Sequence, residues 1–96
     1  MEKKRAIELL TRLKPELQSR FGVARLGLFG STARDTSTDN SDVDILVAFD
    51  GPATSKRYFG VQFCVEDALG CSIDLVTEKA LRPELRPIIE REQILV

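Results

Sequence analysis

The chain has 96 residues, 43% of them hydrophobic, which suffices for one small domain over residues 1–96. Its 14 Lys and Arg nearly balance its 15 Asp and Glu, so the net charge of -1 supplies no general field for nucleic acid, which we do not expect as a direct partner. The lack of histidine in the sequence excludes His-based acid–base chemistry and deprives the two cysteines of a partner for thiol catalysis.

The first predicted element is an amphipathic helix. Its apolar residues recur at helical spacing and form a stripe suited to packing on a sheet: Ala6, Leu10, Leu13 and Leu17. Because proline lacks a backbone N–H and clashes with the preceding turn, we expect the helix to break near Lys14 and to restart with Pro15 in its first turn. The charged start of the chain leads into this amphipathic segment, so we expect no signal peptide, no membrane partner and a cytoplasmic location.

A short apolar strand, Arg25 to Phe29, ends at Gly30, where a helix is predicted to begin. The first backbone N–H groups of a helix lack intrahelical partners, and glycine lets a phosphate approach them closely. The Ser31 hydroxyl can donate to a phosphate oxygen, and the helix N-terminus favours negative charge. Considered alone, this junction is more simply an ordinary turn with a serine cap. Arg34, in the first turn, either contacts a phosphate or lies on the surface.

Two carboxylates mark the start of the next predicted strand. They follow a polar loop over residues 35–41, which we expect to be a mobile cover over a bound nucleotide. Side chains alternate between the faces of a strand, so Asp42 and Asp44 share one face while the apolar residues between and after them point into the core. Two such acids repel each other but can jointly hold a divalent cation such as Mg²⁺. An isolated Asp-x-Asp is more often solvent-facing, and the phosphate-binding turn upstream is what favours a metal site here.

A third acid is predicted on the following strand, Cys71 to Val76, where Asp74 interrupts an apolar run. A neighbouring position in the sheet would bring Asp74 beside Asp42 and Asp44, as a metal ligand and as the base for an attacking hydroxyl. The alternative is a solvated edge-strand acid, or one paired with Lys or Arg. An amphipathic helix stopped by Gly70 precedes this strand, and its apolar residues are Tyr58, Val61, Val65, Ala68 and Leu69.

Three clear strands that alternate with helices predict an α/β domain with a small mixed sheet and helices packed on one face, in an undetermined strand order. Beyond the third strand, two prolines limit Leu81 to Glu90 to short helical turns. The cysteines, Cys64 in the second helix and Cys71 in the third strand, are expected to be core thiols without a disulfide.

Some apolar and charged residues are ambiguous in the sequence. Phe59, Phe63 and the apolar ending Ile94 to Val96 either form a surface for a partner or complete a small core. The charged pair Lys56-Arg57 is expected to be solvated or to face a partner.

The chain resembles the minimal nucleotidyltransferases of the DNA polymerase β superfamily in four segments: Gly30-Ser31, Ala33-Arg34, Ser41 to Asp44 and Ile73 to Val76. The resemblance covers nearly the whole chain, and the order, spacing and placement of the motifs at two strand ends make it specific. One departure is visible, because many members have a glycine after the Ala-Arg pair and this chain has Asp35.

The resemblance implies the nucleotidyltransferase fold, ATP as substrate, two Mg²⁺ ions, and transfer of a nucleoside monophosphate to a hydroxyl. It assigns metal binding and catalysis to Asp42, Asp44 and Asp74, and phosphate binding to Gly30, Ser31 and Arg34. Small stand-alone members resemble the antitoxin of HEPN and nucleotidyltransferase toxin–antitoxin pairs. That antitoxin attaches AMP to a tyrosine of the toxin, so a helical HEPN ribonuclease is the expected partner.

Two other functions stay open. One is an antitoxin that neutralises the toxin by binding alone, which degenerate acids would favour, whereas the acids here are intact. The other is a nucleotidyltransferase for a small molecule or an RNA end, working with a helical partner subunit that supplies the acceptor pocket. The balanced charge of the chain speaks mildly against RNA.

Overall fold

The computed structural model describes residues 1–38 and 40–96. Within them the elements follow one another as α1 (Lys3–Phe21), β1 (Val23–Phe29), α2 (Gly30–Ala33), β2 (Val43–Phe49), α3 (Ser55–Leu69), β3 (Ile73–Thr77), a short 3₁₀ turn (Glu78–Ala80), α4 (Arg86–Glu92) and β4 (Ile94–Leu95). None of the described helices combines the length and apolar character that crossing a bilayer requires.

The strands form a mixed sheet in the order β3-β2-β1-β4. Strand β1 runs antiparallel to both β2 and β4, whereas β2 and β3 are parallel and are joined by the crossover helix α3. The predicted α/β class with a small mixed sheet is therefore confirmed. The apolar ending contributes β4, a strand that we did not predict because two residues are too few to show an alternating pattern.

The core lies between one face of the sheet and the helices α1 and α3. It combines inward-facing residues of both helices with alternate residues of the three longer strands: Ala6, Leu10, Leu17, Val61, Val65, Val23, Leu26, Leu28, Val43, Ile45, Val47, Ile73 and Leu75. Alternation along β2 places Asp44 on the other face, as predicted. Part of that other face is covered near β4, because a Cβ added at Gly27 would collide with the Gln93 side chain.

The predicted break of the first helix near Lys14 is wrong, because α1 continues from Lys3 to Phe21 with Pro15 inside it. Leu10 and Leu17 on either side of the proline are both fully buried in the same core. Packing of both halves outweighs the lost hydrogen bond, whose acceptor would have been the carbonyl of the exposed Thr11.

Two further expectations are tested by the loops. Cys71 lies in the turn before β3 and not on the strand, and both cysteines are free and half-buried. In the predicted mobile cover, residues 35–41, the described part is tied to the N-terminus by the Ser37 hydroxyl, which donates to the Met1 carbonyl at 2.6 Å. Asp39 lies outside the described residues, so a mobile cover stays a prediction.

Candidate active site

Asp44 and Asp74 face each other across the parallel strands β2 and β3. They are register partners in that pair, and each is the second residue of its strand. Asp42 immediately precedes β2 and is close enough for its charge to act on Asp44. The structure therefore places Asp44 and Asp74 side by side at the start of two neighbouring strands, with Asp42 one residue before β2.

Burial, followed by the negative charges of Asp74 and Asp42 and a hydrogen bond with Asp74, raises the pKa of Asp44. Asp44 is half-buried, whereas its two acidic neighbours are exposed. The Arg34 side chain opposes the shift in the pKa of Asp44, which places its guanidinium within electrostatic range of this carboxylate. A concentration of negative charge of this kind is relieved by a bound cation.

The acids fit Mg²⁺ as an open set of ligands and not as a closed cage. Among the described residues, no three His, Cys, Asp or Glu side chains are grouped so that they could hold a metal ion by themselves. Mg²⁺ usually binds through one or two carboxylates together with substrate phosphates and water, so a paired Asp44 and Asp74 with an adjacent Asp42 is the donor set that a phosphate substrate would complete.

Gly30 lies directly beside this acidic pair. Strand β1 ends at Phe29, whose register partner on β2 is Asp44, so the chain turns into α2 next to the Asp44 carboxylate. Gly30 has a φ of +72°, and a Cβ there would overlap the Asp44 side chain, lying only 2.8 Å from its Cγ. Only glycine satisfies both the left-handed backbone and the close approach of the Asp44 carboxylate, which lies where a side chain of residue 30 would be.

Ser31 and Arg34 lie in and just after α2. Ser31 is half-buried in the first turn, and its carbonyl accepts a hydrogen bond of 2.9 Å from the Thr36 backbone N–H. Arg34 forms an ion pair with Glu92 at the end of α4, and its side chain is 55% exposed. The predicted phosphate-binding residues therefore border the acids, although their roles stay predictions.

Glu92 is a site residue that the sequence did not indicate. Its side chain is 22% exposed and holds the guanidinium of Arg34, which is 58 positions away in the chain. A pairing over such a separation depends on the contact between α2 and α4, which the sequence does not reveal. Glu92 adds negative charge at the edge of the site.

Comparison with known proteins finds relatives over nearly the whole chain. A family model for a nucleotidyltransferase domain matches residues 10–96. The protein adenylyltransferase MntA of Thermococcus cleftensis is 36% identical over 88 residues, which are 92% of this chain and 89% of that protein. A solved structure with the provisional name of minimal nucleotidyltransferase superposes with a TM-score of 0.79 at 34% identity, covering 98% of this chain and 95% of that one.

The fold also occurs in a toxin–antitoxin assembly. A chain from the complex of a tri-AMPylated HEPN toxin of Shewanella oneidensis with its MNT antitoxin superposes with a TM-score of 0.59 at 19% identity. That alignment covers 97% of this chain and 66% of the other. At this identity the likeness shows the fold alone. The family model and the MntA relative show more, and the chain belongs to the nucleotidyltransferase family as one of its minimal members.

Proposed function

We propose that this nucleotidyltransferase is an antitoxin that uses ATP and Mg²⁺ to attach AMP to a tyrosine of a partner HEPN toxin. The observation that supports it most directly is the opposition of Asp44 and Asp74 beside the left-handed turn at Gly30. The related MntA of Thermococcus cleftensis is a protein adenylyltransferase, and the fold recurs in a complex that contains an AMPylated HEPN toxin.

The chain's own residues would bind the triphosphate at the turn between β1 and α2. The unpaired backbone N–H groups at the start of α2 would bind a phosphate beside Asp44, and the Ser31 hydroxyl would donate to a phosphate oxygen. Arg34 would leave Glu92 and turn toward the phosphates, because a triphosphate carries more negative charge than one carboxylate. The nucleotide is thereby fixed with its α-phosphate near the acids.

Asp74 would act as the base for the acceptor. Its exposed position on β3 lets a tyrosine hydroxyl of another protein approach it, and the carboxylate takes the phenolic proton. The tyrosine oxygen then bonds to the α-phosphorus while the bond from that phosphorus to the bridging oxygen breaks, which releases pyrophosphate. Two Mg²⁺ ions, held by Asp42, Asp44 and Asp74 with the phosphates, would supply charge neutralisation on the α-phosphate and the leaving group.

A protein acceptor suits the openness of this face. The molecule measures 32 × 31 × 19 Å, and its short dimension accommodates little beyond one sheet and one helix layer. Asp42 and Asp74 are both exposed, so the described residues form no deep acceptor pocket around them. The acceptor must therefore contribute most of the contact surface itself. Because the reaction consumes ATP and acts on an RNA-cleaving partner, we place it in the cytoplasm.

Intact mass spectrometry of the protein encoded by the neighbouring gene, which the proposal expects to be a HEPN protein, tests the proposal. The two proteins are incubated with ATP and Mg²⁺, and the HEPN protein is expected to gain whole AMP units on tyrosine. Asp42→Asn with Asp44→Asn should abolish the gain, whereas Asp50→Asn, which changes an exposed acid at the far end of β2, should preserve it.

Other outcomes would favour the alternatives. If the HEPN protein is bound and its ribonuclease activity is suppressed without any gain in mass, neutralisation by binding replaces the proposal. If AMP instead appears on an added RNA end or a small molecule, and only when a helical subunit is present, the acceptor is not the toxin. Mapping the modified residue by fragmentation separates tyrosine from serine or threonine.

A further inference from the structure

Helix α3 presents two large aromatic side chains to solvent. Phe59 is 49% exposed and Phe63 is 63% exposed, and their rings stack with centroids 6.3 Å apart. They lie one turn apart, whereas the residues of α3 that enter the core, Val61, Val65 and Leu69, lie on the other side of the helix. A contiguous exposed aromatic pair of this kind indicates a protein interface.

Two charged residues flank the aromatic pair on the same side of α3. Lys56 lies about one turn before Phe59, and Asp67 lies about one turn after Phe63. Together with Phe63 they border the groove between α1 and α3. Both side chains are exposed, and neither has an ion-pair partner among the described residues.

Both charges also oppose the dipole of their own helix. The first turn of α3 contains Lys56 and no acid, and its last turn contains no basic residue while Asp67 lies nearby. Such an arrangement is unfavourable in an isolated helix, because the N-terminal end is positive and the C-terminal end is negative. It becomes favourable when a second helix of the same charge pattern lies alongside in the antiparallel direction.

We propose that the α3 face, defined as Lys56, Phe59, Phe63 and Asp67, binds the same face of a second copy of this chain. The midpoint between the two phenylalanines and the midpoint between the two charged residues coincide near residue 61. One two-fold axis at that level therefore sets Phe59 against Phe63 of the second copy and Lys56 against Asp67 of the second copy, twice over. A partner of another sequence would not require this internal symmetry.

The dimer leaves the acidic site free. Helix α3 packs on the face of the sheet that contains Ile45 in the core, whereas Asp44 projects from the opposite face. Two copies joined through α3 would therefore present both acid sites outward. The inference does not depend on the proposed transfer reaction, and the two can fail separately.

Sedimentation equilibrium of the full chain with a charge-swap series tests this interface. The natural chain is expected to form dimers in a concentration-dependent way. Lys56→Glu and Asp67→Lys should each weaken the dimer about tenfold, because each change places like charges opposite each other at two symmetric positions. The double variant restores opposite charges in reversed order and should return the dissociation constant to within about threefold of the original value.

Two further variants test the contribution of the aromatic pair and provide a control. Phe63→Asp should abolish the dimer, and the melting curve should show an intact fold because the side chain is exposed. Arg82→Glu, a charge reversal at an exposed residue outside α3, should leave dimerisation unchanged.

Three results would overturn the proposal. The first is a chain that stays monomeric up to about 1 mM, a concentration at which even weak specific contacts are populated. The second is a dimer that none of the α3 variants alters, or that the double swap fails to restore. The third is a monomeric chain whose Phe63→Asp variant no longer binds the protein used as acceptor in the transfer assay, which would assign this face to that protein.

Discussion

Asp44 on β2 lies directly opposite Asp74 on β3, and it is the half-buried member of the pair whose pKa is raised. A carboxyl group with a raised pKa in the folded state is more costly to ionise there than in the unfolded chain. The ionised Asp44 carboxylate therefore opposes folding at neutral pH. That cost is expected at a site whose charge serves to hold a ligand.

Replacing Asp44 with asparagine should separate stability from function. The Asp44→Asn variant removes a half-buried charge and its repulsion with Asp74, so the free energy of unfolding at pH 7 should rise by about 0.5–1 kcal/mol. AMP transfer should become undetectable. Urea unfolding followed by circular dichroism measures the stability, and mass spectrometry of the HEPN protein measures transfer.

The control for this substitution is Asp50→Asn. Asp50 accepts a hydrogen bond of 2.9 Å from Arg57 and is exposed, so this change should leave transfer intact and should not stabilise the fold. A loss of stability in Asp44→Asn comparable to that of a core substitution would contradict the interpretation of Asp44 as a destabilising, ligand-binding acid.

The pH dependence of transfer should reflect the raised pKa of Asp44. The carboxylate must be ionised to serve as a ligand, so the rate should fall as the pH drops through a value above the ordinary aspartate pKa of about 3.9. Because Mg²⁺ competes with protons for the same oxygens, the acid limb should move to lower pH at saturating Mg²⁺. Transfer rates from pH 4.5 to 8 at two Mg²⁺ concentrations test this.

Stability should respond to pH in the opposite direction. The folded pKa of Asp44 is above the unfolded value, so its unfavourable contribution to stability is fully present above the folded pKa and disappears as the pH falls below the unfolded value.

The Arg34→Gln variant removes the cation that opposes the rise in the pKa of Asp44, and it should move the acid limb of the transfer rate to higher pH. If Arg34→Gln leaves the acid limb of the transfer rate unchanged, another group than Asp44 controls that limb.

Gly30→Ala should abolish transfer. A matching substitution at Gly70 separates the effect of backbone strain from the effect of the added Cβ on Asp44. The φ of +72° makes any side chain strained, and the added Cβ would displace the Asp44 carboxylate. Gly70 has nearly the same φ, +69°, but nothing lies within 4 Å of an added Cβ. Both variants should lose about 1–2 kcal/mol of stability from backbone strain, and Gly30→Ala should lose more.

The comparison between the two glycines then depends on activity. Gly70→Ala is expected to keep AMP transfer near the natural rate once folding is complete, whereas Gly30→Ala should keep less than about 1%. Thermal melting and transfer assays on the same preparations provide both quantities. Equal activity in the two variants would rule out close approach of a phosphate to the Gly30 backbone.

Local sequence patterns predict those features of the candidate site that depend on consecutive residues. Alternation along the strand predicts that Asp44 lies on the face opposite the core, and the end of an apolar run predicts the turn at Gly30, but Asp42 lies just before β2 and not on it as predicted. The opposition of Asp44 and Asp74 could not be predicted in the same way. It requires β3 to lie beside β2 in parallel register, and strand order is a property of the whole fold.

The parts that were missed depend on contacts between distant segments or on very short elements. Strand β4 consists of two residues, which have no measurable period, and it forms only because it pairs with Gly27 and Leu28. Glu92 reaches Arg34 through the packing of α4 near α2. Helix α1 survives Pro15 because tertiary burial on both sides outweighs a local preference.

Glu92→Gln should strengthen nucleotide binding. The change removes the carboxylate that holds Arg34 and also removes a negative charge near the phosphates, so the dissociation constant for ATP should fall about two- to fivefold. Stability should change by less than about 0.5 kcal/mol because Arg34 is largely exposed. Isothermal titration with a non-hydrolysable ATP analogue and Mg²⁺ measures the affinity.

The matched control for Glu92 is Glu90→Gln on the same helix. Glu90 lies 3.7 Å from Arg86 and has no ion pair with Arg34 among the described contacts, so nucleotide affinity should be unchanged. If Glu92→Gln weakens binding instead, Glu92 positions Arg34 for the nucleotide and does not compete with it. Whether Glu92 positions Arg34 or competes with the nucleotide for it, Arg34→Ala should weaken nucleotide binding.

Pro15→Ala should stabilise the protein. Pro15 is exposed and lies inside α1, where it removes the N–H that would bond to the Thr11 carbonyl and crowds the preceding turn. Alanine restores the hydrogen bond, while the unfolded chain gains back some of the freedom that proline had removed. We expect a net gain in stability of about 1–2 kcal/mol, which raises the melting temperature by several degrees for a domain of this size.

Pro87 lies in the first turn of α4, where no helical donor is needed, so Pro87→Ala should bring no gain in stability. If both variants behave alike in urea unfolding, α1 is bent around Pro15 in a way that alanine cannot relieve.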